Sequence, residues 1–127
     1  MRYQTDDIRI SGMQELLPPE SLMEDQPISE SSSKLVFESR NKISQIINQN
    51  DDRLIVVVGP CSIHDPKAAL DYAGNLIEAS KKYEESLQII MRVYFEKPRT
   101  TVGWKGLIND PDLDNSFNIN KGIALAR

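Results

Sequence analysis

The chain has 127 residues, a net charge of −4 and a sequence pI near 5.0. A chain with this net negative charge lacks the excess positive charge that attracts nucleic acid or an anionic membrane, so neither is an expected partner. One cysteine excludes an internal disulfide, and the longest apolar run, Leu54–Val58, is far shorter than the ~20 residues that cross a bilayer. The polar segment Met1–Ile10 lacks the apolar core of a signal peptide. We therefore expect a cytoplasmic protein.

Residues 1–52 have the pattern of a polar N-terminal extension. Ile8–Ile10 alternates with the two-residue period of a short strand, and Glu20–Asp25 predicts about one helical turn after two prolines. At about 34–50, apolar side chains recur at the 3.6-residue spacing of one helix face. The extension is thus predicted to contribute one substantial helix.

Residues 53–127 predict a parallel α/β arrangement. Leu54–Val58 is an unbroken β-favouring run, which is typical of a strand buried on both faces. Asp65 precedes a proline and predicts the N-cap of a helix that runs to about Glu84. Leu87–Phe95 predicts a second strand. A strand, a helix and a strand within this length form a βαβ unit, whose strands must be parallel.

Two segments follow the second strand. Lys97–Asp112 shows no sustained period and predicts a long loop of the kind that is usually functional, with Trp104 as a packing residue. Asn120–Arg127 predicts the first turns of a helix, and no helix stop signal follows them in the sequence. We therefore expect this chain to be part of a longer protein.

A first set of candidate site residues follows the first strand. Cys61 lies where parallel α/β folds build their sites, with His64 and Asp65 close behind it. Three interpretations remain open for Cys61, which are a packed core residue, a ligand of a divalent metal and a nucleophile with His64 as its base. His64 itself is better explained as a loop hydrogen-bonding residue, and Asp65 as an N-cap.

A second set is cationic and surrounds the end of the second strand. Arg92 lies within an apolar run, where a guanidinium needs a carboxylate or an anionic ligand as its partner. Lys97 and Arg99 flank a proline that stiffens their presentation, Thr100 adds a hydroxyl donor, and Lys105 adds a further charge. Arg and Lys at this spacing suit phosphate and carboxylate groups. The alternative is a solvated run of charges in which Arg92 forms a structural salt bridge.

The residues around both sets resemble the class I 3-deoxy-D-arabino-heptulosonate-7-phosphate (DAHP) synthases of the shikimate pathway. The resemblance covers essentially the whole chain, and the Lys-Pro-Arg-Thr sequence in this context is highly specific. It implies that the chain is the N-terminal third of a (β/α)₈ TIM barrel enzyme with an N-terminal extension. The stretches that carry it are Gly59–Asp65, Met91–Gly106 and Asp110-Pro111.

The resemblance also implies roles for individual residues. Cys61 matches a ligand of a divalent metal of the Mn, Fe, Co or Zn type, and His64 matches no ligand. Arg92 and Lys97 match residues that contact phosphoenolpyruvate, and Lys97 is also expected to move a proton in catalysis. Arg99 and Thr100 match the erythrose 4-phosphate site. The remaining metal ligands are expected beyond Arg127, so the isolated chain is expected to be inactive.

The N-terminal segment most resembles the phenylalanine-inhibited members of the family. Asp6, Asp7 and Ile10 are therefore candidate regulatory residues, at an interface of a homo-oligomer that binds an aromatic amino acid. Two other functions remain open at this point. One is 3-deoxy-D-manno-octulosonate-8-phosphate synthase, which shares the barrel and phosphoenolpyruvate. The other is a non-catalytic regulatory or interaction fragment.

Overall fold

The computed structural model describes residues 3, 5–97 and 103–127, and the described part contains a two-stranded parallel sheet. The strands pair in register from Leu54 opposite Leu87 to Val58 opposite Met91. One helix connects them, as the βαβ prediction requires. No helix of the described part is long and apolar enough to span a membrane. In chain order the elements are α1 (Pro19–Asp25), α2 (Glu30–Ile47), β1 (Leu54–Val58), α3 (Pro66–Lys82), β2 (Leu87–Met91) and α4 (Ile119–Ala126).

The bounds of α2 differ from the predicted 34–50 because side-chain caps decide them. Ser29 Oγ accepts a hydrogen bond from Ser32 N at 3.1 Å, so the helix begins at Glu30, earlier than the apolar pattern shows. After Ile47 the chain leaves the helix, and Gln49 adopts a left-handed conformation with φ of 61°. Apolar periodicity therefore located the helix, whereas local hydrogen bonds set its ends.

The helix between the strands begins as predicted. Asp65 Oδ1 accepts from Lys67 N at 2.8 Å, which confirms Asp65 as the N-cap of α3. The helix ends at Lys82, slightly before the predicted Glu84. Because β1 and β2 are parallel, α3 lies in the connection that returns the chain to the start of β2.

The short strand predicted at Ile8–Ile10 is wrong. Asp7 has a φ of 55°, and Ile10 N donates to Asp7 O at 3.0 Å, so the segment is an exposed turn. Alternation makes a strand only where a neighbouring strand satisfies its backbone groups. Within the described residues, neither β1 nor β2 pairs with this segment.

Further along, side chains at both ends of α4 hold the extension, and Arg127 Nε donates to Gln26 O at 3.1 Å. Asn120 Oδ1 accepts from Leu17 N at 2.9 Å, and Asn120 Nδ2 donates to Glu15 O at 3.0 Å. These bonds link positions more than 100 residues apart in sequence. The extension is therefore attached to the segment that follows the candidate site.

β2 ends at Met91, whereas the apolar pattern predicts a strand as far as Phe95. The parallel ladder continues only to the bond from Arg92 N to Val58 O at 2.8 Å. Beyond Val58 the partner strand reaches Pro60, which has no N–H to offer. The residues after Met91 therefore lose their ladder partner and become available for other contacts.

The predicted structureless loop is closed at its base by a different pairing. Leu107 N donates to Phe95 O at 2.9 Å, and Glu96 forms an antiparallel bridge with Gly106. Leu107 is 1% exposed and lies in the small buried core of the described residues. Gly122 of α4 packs against the same turn, where an added Cβ would lie 2.1 Å from Ile108 O. The loop is thus fastened both to the strand and to α4.

Candidate active site

The close approach of the two strand ends brings Cys61 and Arg92 together. A Cβ at Gly59 would lie 2.5 Å from Arg92 O, so glycine is required for this spacing. Beyond it, Ile63 N donates to Tyr94 O at 2.8 Å, and Ile63 is buried. The turn that carries Cys61 is therefore held along the segment that carries Arg92.

Cys61 is exposed and contacts two cations. Lys97 Nζ donates a hydrogen bond to Cys61 Sγ. This bond and the charge of Lys97 lower the pKa of the Cys61 thiol, and Arg92 adds a smaller effect in the same direction, while desolvation opposes both. Nearby positive charge favours the thiolate, which is the form of cysteine that binds metals and attacks electrophiles. The packed-core interpretation of Cys61 does not fit an exposed sulfur with these neighbours.

Arg92 lies just past the end of β2 and is half-buried. Its guanidinium covers the ring of Tyr94, with 4.2 Å between Cζ and the ring centroid. The ion pairs found among the described residues do not include Arg92, so the structural salt bridge considered above is not observed there. A guanidinium held against an aromatic face keeps its N–H groups available for an anionic ligand.

The structure brings together the described members of the predicted substrate and metal sites, namely Cys61, Arg92 and Lys97. Arg99 and Thr100, predicted to bind erythrose 4-phosphate, lie outside the described residues. Lys105 lies on the returning side of the loop, where its carbonyl accepts from Lys97 N at 3.2 Å. The Lys97 backbone is therefore part of the antiparallel pairing at the base of the loop.

A residue that the sequence analysis did not single out, Glu96, holds this loop. Its Oε1 accepts from Ile108 N at 2.9 Å and from Asn109 N at 3.0 Å, and its Oε2 accepts from Asn109 Nδ2 at 2.7 Å. In the sequence, the signal for this role was that Glu96 directly precedes Lys97. Consecutive side chains of an extended segment point to opposite sides, so Glu96 points away from the side on which Lys97 reaches Cys61. The loop has a second fastening in Trp104, whose Nε1 donates to the carbonyl of the buried Asp110 at 2.7 Å.

The residues present fit part of a metal site. Cys61 provides an accessible sulfur whose lowered pKa favours the ligating form. Asp65 is committed to capping α3, and His64 is exposed beside it. In the described part of the chain, no three His, Cys, Asp or Glu side chains are grouped to hold a metal ion. A metal at Cys61 would therefore need further ligands from outside the described residues.

The three candidate regulatory residues lie apart from this group in sequence and in local structure. Asp6, Asp7 and Ile10 belong to the exposed turn at the start of the extension. Asp7 supplies the carbonyl that closes the turn and Ile10 the N–H. The turn leaves these side chains at the surface of the described residues.

Comparison with known proteins gives one consistent family. The profile of the DAHP synthetase I family matches residues 25–126. Over 127 residues the chain is 57% identical to the Phe-sensitive phospho-2-dehydro-3-deoxyheptonate aldolase of Escherichia coli K12, covering 100% of this chain and 36% of that protein. It is 53% identical to the phenylalanine-inhibited aldolase of the same name from Saccharomyces cerevisiae, covering 99% of this chain and 34% of the relative.

A solved structure agrees with the sequence comparison. The phospho-2-dehydro-3-deoxyheptonate aldolase of Francisella tularensis SCHU S4 superposes with a TM-score of 0.88 at 60% identity, over 93% of this chain and 35% of that chain. The chain thus spans about a third of the length of the relatives that it matches. Because the family profile covers most of its length, the chain belongs to the DAHP synthetase I family.

Proposed function

We propose that this chain is the N-terminal third of an enzyme that condenses phosphoenolpyruvate with D-erythrose 4-phosphate and water. The products are 3-deoxy-D-arabino-heptulosonate 7-phosphate and phosphate, in the first step of the shikimate pathway. The observation that carries the proposal is the convergence of Arg92 and Lys97 on Cys61 at the ends of β1 and β2. The names of the relatives from E. coli and S. cerevisiae support the reaction. A cytoplasmic location accompanies this biosynthetic role.

The complete protein is proposed to be a (β/α)₈ TIM barrel. In it, β1 and β2 are the first two strands, residues 53–127 contribute the first two βα units, and residues 1–52 form an extension. The parallel register and the candidate site at the carboxyl ends of the strands support this arrangement, since barrel enzymes build their sites at that face. The structural likeness to the F. tularensis protein supports it as well.

The proposed chemistry assigns a role to each candidate residue. C3 of phosphoenolpyruvate attacks the aldehyde carbon of erythrose 4-phosphate, water adds at C2, and phosphate leaves by C–O cleavage. Arg92 and Lys97 bind the anionic groups of phosphoenolpyruvate, and Lys97 also moves a proton near the reacting carbonyl. Arg99 and Thr100 bind erythrose 4-phosphate. Such a cationic pocket offsets repulsion between two phosphate esters and orients them.

Cys61 is the proposed ligand for a divalent metal in this chain. Its exposure and its thiolate character support the assignment. When bound, the metal would supply Lewis acidity at the aldehyde oxygen. The contact between Lys97 and Cys61 then places the proton-transferring amine beside the proposed metal position.

The substrate assignment predicts separable kinetic defects in the full-length protein. Arg92→Ala should mainly impair use of phosphoenolpyruvate, and Arg99→Ala use of erythrose 4-phosphate. Each loss should cost about 2–4 kcal/mol in transition-state binding, because a charge-assisted contact to a phosphate ester or carboxylate disappears. Steady-state kinetics with each substrate varied in turn measure this, with Lys81→Ala on exposed α3 as the control. Equal changes in both Michaelis constants for both arginine variants would contradict the assignment.

The proposal extends to feedback inhibition by an aromatic amino acid, phenylalanine, at an interface of a homo-oligomer. Asp6, Asp7 and Ile10 are the proposed regulatory residues, and their exposed turn supports a contact with another subunit. The names of the two relatives support phenylalanine as the inhibitor.

Deleting Met1–Ile10 from the full-length protein should therefore relieve inhibition while sparing catalysis. The bonds of Asn120 to the extension lie downstream of the deletion, so the rest of the extension should stay attached. Inhibition is measured with phenylalanine, tyrosine and tryptophan in parallel. If the shortened protein is inhibited as strongly as the parent, the regulatory assignment fails.

A further inference from the structure

The Glu96 carboxylate is fully engaged in holding one turn of the chain. Two backbone N–H groups, of Ile108 and Asn109, donate to Oε1 at 2.9 and 3.0 Å, and the Asn109 side chain donates to Oε2 at 2.7 Å. These distances are those of well-formed hydrogen bonds. They connect residues that are 12 and 13 positions apart. Glu96 therefore fixes the far end of the loop to the segment after β2.

The same segment carries Lys97 on its other side. Glu96 and Lys97 are consecutive in extended backbone, so their side chains project in opposite directions. One reaches Ile108 and Asn109, and the other reaches Cys61. Holding the Glu96 side chain therefore limits the movement of the backbone from which Lys97 extends.

The backbone pairing is well formed at Leu107, whose N–H donates to Phe95 O at 2.9 Å, but its bond at Lys97 is longer. The bond from Lys97 N to Lys105 O is 3.2 Å, at the long end for an N–H···O bond. Between the paired segments, Gly106 has a φ of 149°, and a Cβ there would lie 2.8 Å from Glu96 Oε1 and 2.1 Å from Phe95 O. Glycine at this position leaves room for the carboxylate over the turn, and the carboxylate adds three hydrogen bonds to the backbone pairing.

We propose that Glu96 is a positioning residue that fixes Lys97 for the condensation reaction by anchoring the turn at Ile108 and Asn109. The inference rests on the function proposed above. Glu96 acts through geometry rather than through its charge or a proton, because its bonds are to amide N–H groups. An amide side chain of the same length should therefore replace it, whereas a truncated side chain should not.

The test compares Glu96→Ala with Glu96→Gln in the full-length protein. Glu96→Ala should lower kcat/KM for phosphoenolpyruvate by roughly 100-fold, the scale of a displacement of about 1 Å in a reacting group. Glu96→Gln should stay within about fivefold of the parent, because its oxygen still accepts from both backbone amides and Asn109 can reorient its side chain. Asn109→Ala, a milder variant that removes one of the three bonds, should fall between them. Glu78→Ala, on exposed α3, is the matched control and should match the parent.

A double-mutant cycle separates positioning from general stability. Phosphoenolpyruvate affinity is measured by calorimetry for Glu96→Ala in the parent and in a Lys97→Ala background. If Glu96 acts through Lys97, its truncation weakens binding in the parent and has little effect once Lys97 is absent. An undiminished effect without Lys97, or a Gln variant as impaired as the Ala variant, would overturn the proposal.

Hydrogen exchange at the amides of Ile108 and Asn109 gives a readout that does not depend on turnover. Both amides should exchange faster in Glu96→Ala than in the parent and should stay protected in Glu96→Gln. Equal exchange in all three proteins would overturn the positioning role even in an active enzyme. An inactive parent with the expected exchange pattern would instead refute the proposed reaction and leave the anchoring by Glu96 supported.

Discussion

Cys61→Ser should nearly abolish turnover by the full-length protein and weaken its affinity for divalent metal. A hydroxyl is a harder and far less acidic group than the thiol whose pKa Lys97 and Arg92 lower, so it is a poorer ligand for a transition metal or zinc. Losing an outer-shell partner of a metal typically costs ~10–100-fold, and losing a ligand should exceed that. Metal titration followed by the condensation assay measures both effects.

His64→Ala is the control for this substitution, because His64 is the exposed neighbouring side chain that matches no ligand. It should keep the metal affinity of the parent. Bound metal should also slow alkylation of Cys61 by a small electrophile, since the sulfur is otherwise exposed. A Ser variant with parental metal affinity and turnover would remove Cys61 from the metal site.

Gly122→Ala should strongly destabilise the protein. The added Cβ would lie 2.1 Å from Ile108 O and 2.6 Å from Leu107 O, and neither backbone carbonyl can rotate away. Moving α4 off the turn should cost about 3 kcal/mol, the upper range for an overpacked site. The thermal unfolding midpoint of the full-length protein should fall by several degrees, and activity should fall with it because the displaced turn also binds Glu96.

Gly74→Ala is the matched control, since it places the same methyl group in the middle of α3 with no atom within 4 Å. It should raise stability by about 0.5–1 kcal/mol, because alanine loses less backbone entropy than glycine in a helix. Equal unfolding midpoints for the two alanine variants would show that α4 does not pack against the turn as described.

The sequence predicted the parts of the fold that depend on pattern and local chemistry. The strand at Leu54–Val58, the N-cap at Asp65 and the βαβ connection all follow from side-chain type and spacing, and the structure confirms them. The expected burial of β1 on both faces is not observed, because Leu54, Val57 and Val58 are exposed in the described part of the chain. Strand and helix ends were less predictable, because they depend on partners that are distant in sequence. β2 ends where β1 no longer offers backbone partners, and among the described residues neither strand pairs with Ile8–Ile10.

The candidate site also has one part that was predictable from the sequence and one part that was not. Cys61 and the residues after the second strand could be placed at one edge from sequence, because parallel strands end at one edge of a sheet. Arg92 was predicted inside the strand Leu87–Phe95, and it lies at the strand end because β2 stops at Met91. The anchoring role of Glu96 could not be predicted, since it depends on the antiparallel return of residues 105–107, for which the sequence offers no periodic signal. Its partners Ile108 and Asn109 adjoin Glu96 only through that return.

The proposed condensation is tested most directly by a substrate-selective assay of the full-length protein, with and without divalent metal. Phosphoenolpyruvate is supplied with either erythrose 4-phosphate or arabinose 5-phosphate, and release of inorganic phosphate and formation of the 3-deoxy sugar acid are followed. We expect metal-dependent condensation with erythrose 4-phosphate, little reaction with arabinose 5-phosphate, and no activity from residues 1–127 alone. Preference for arabinose 5-phosphate, or no condensation by the metal-loaded full-length protein, would contradict the proposed reaction.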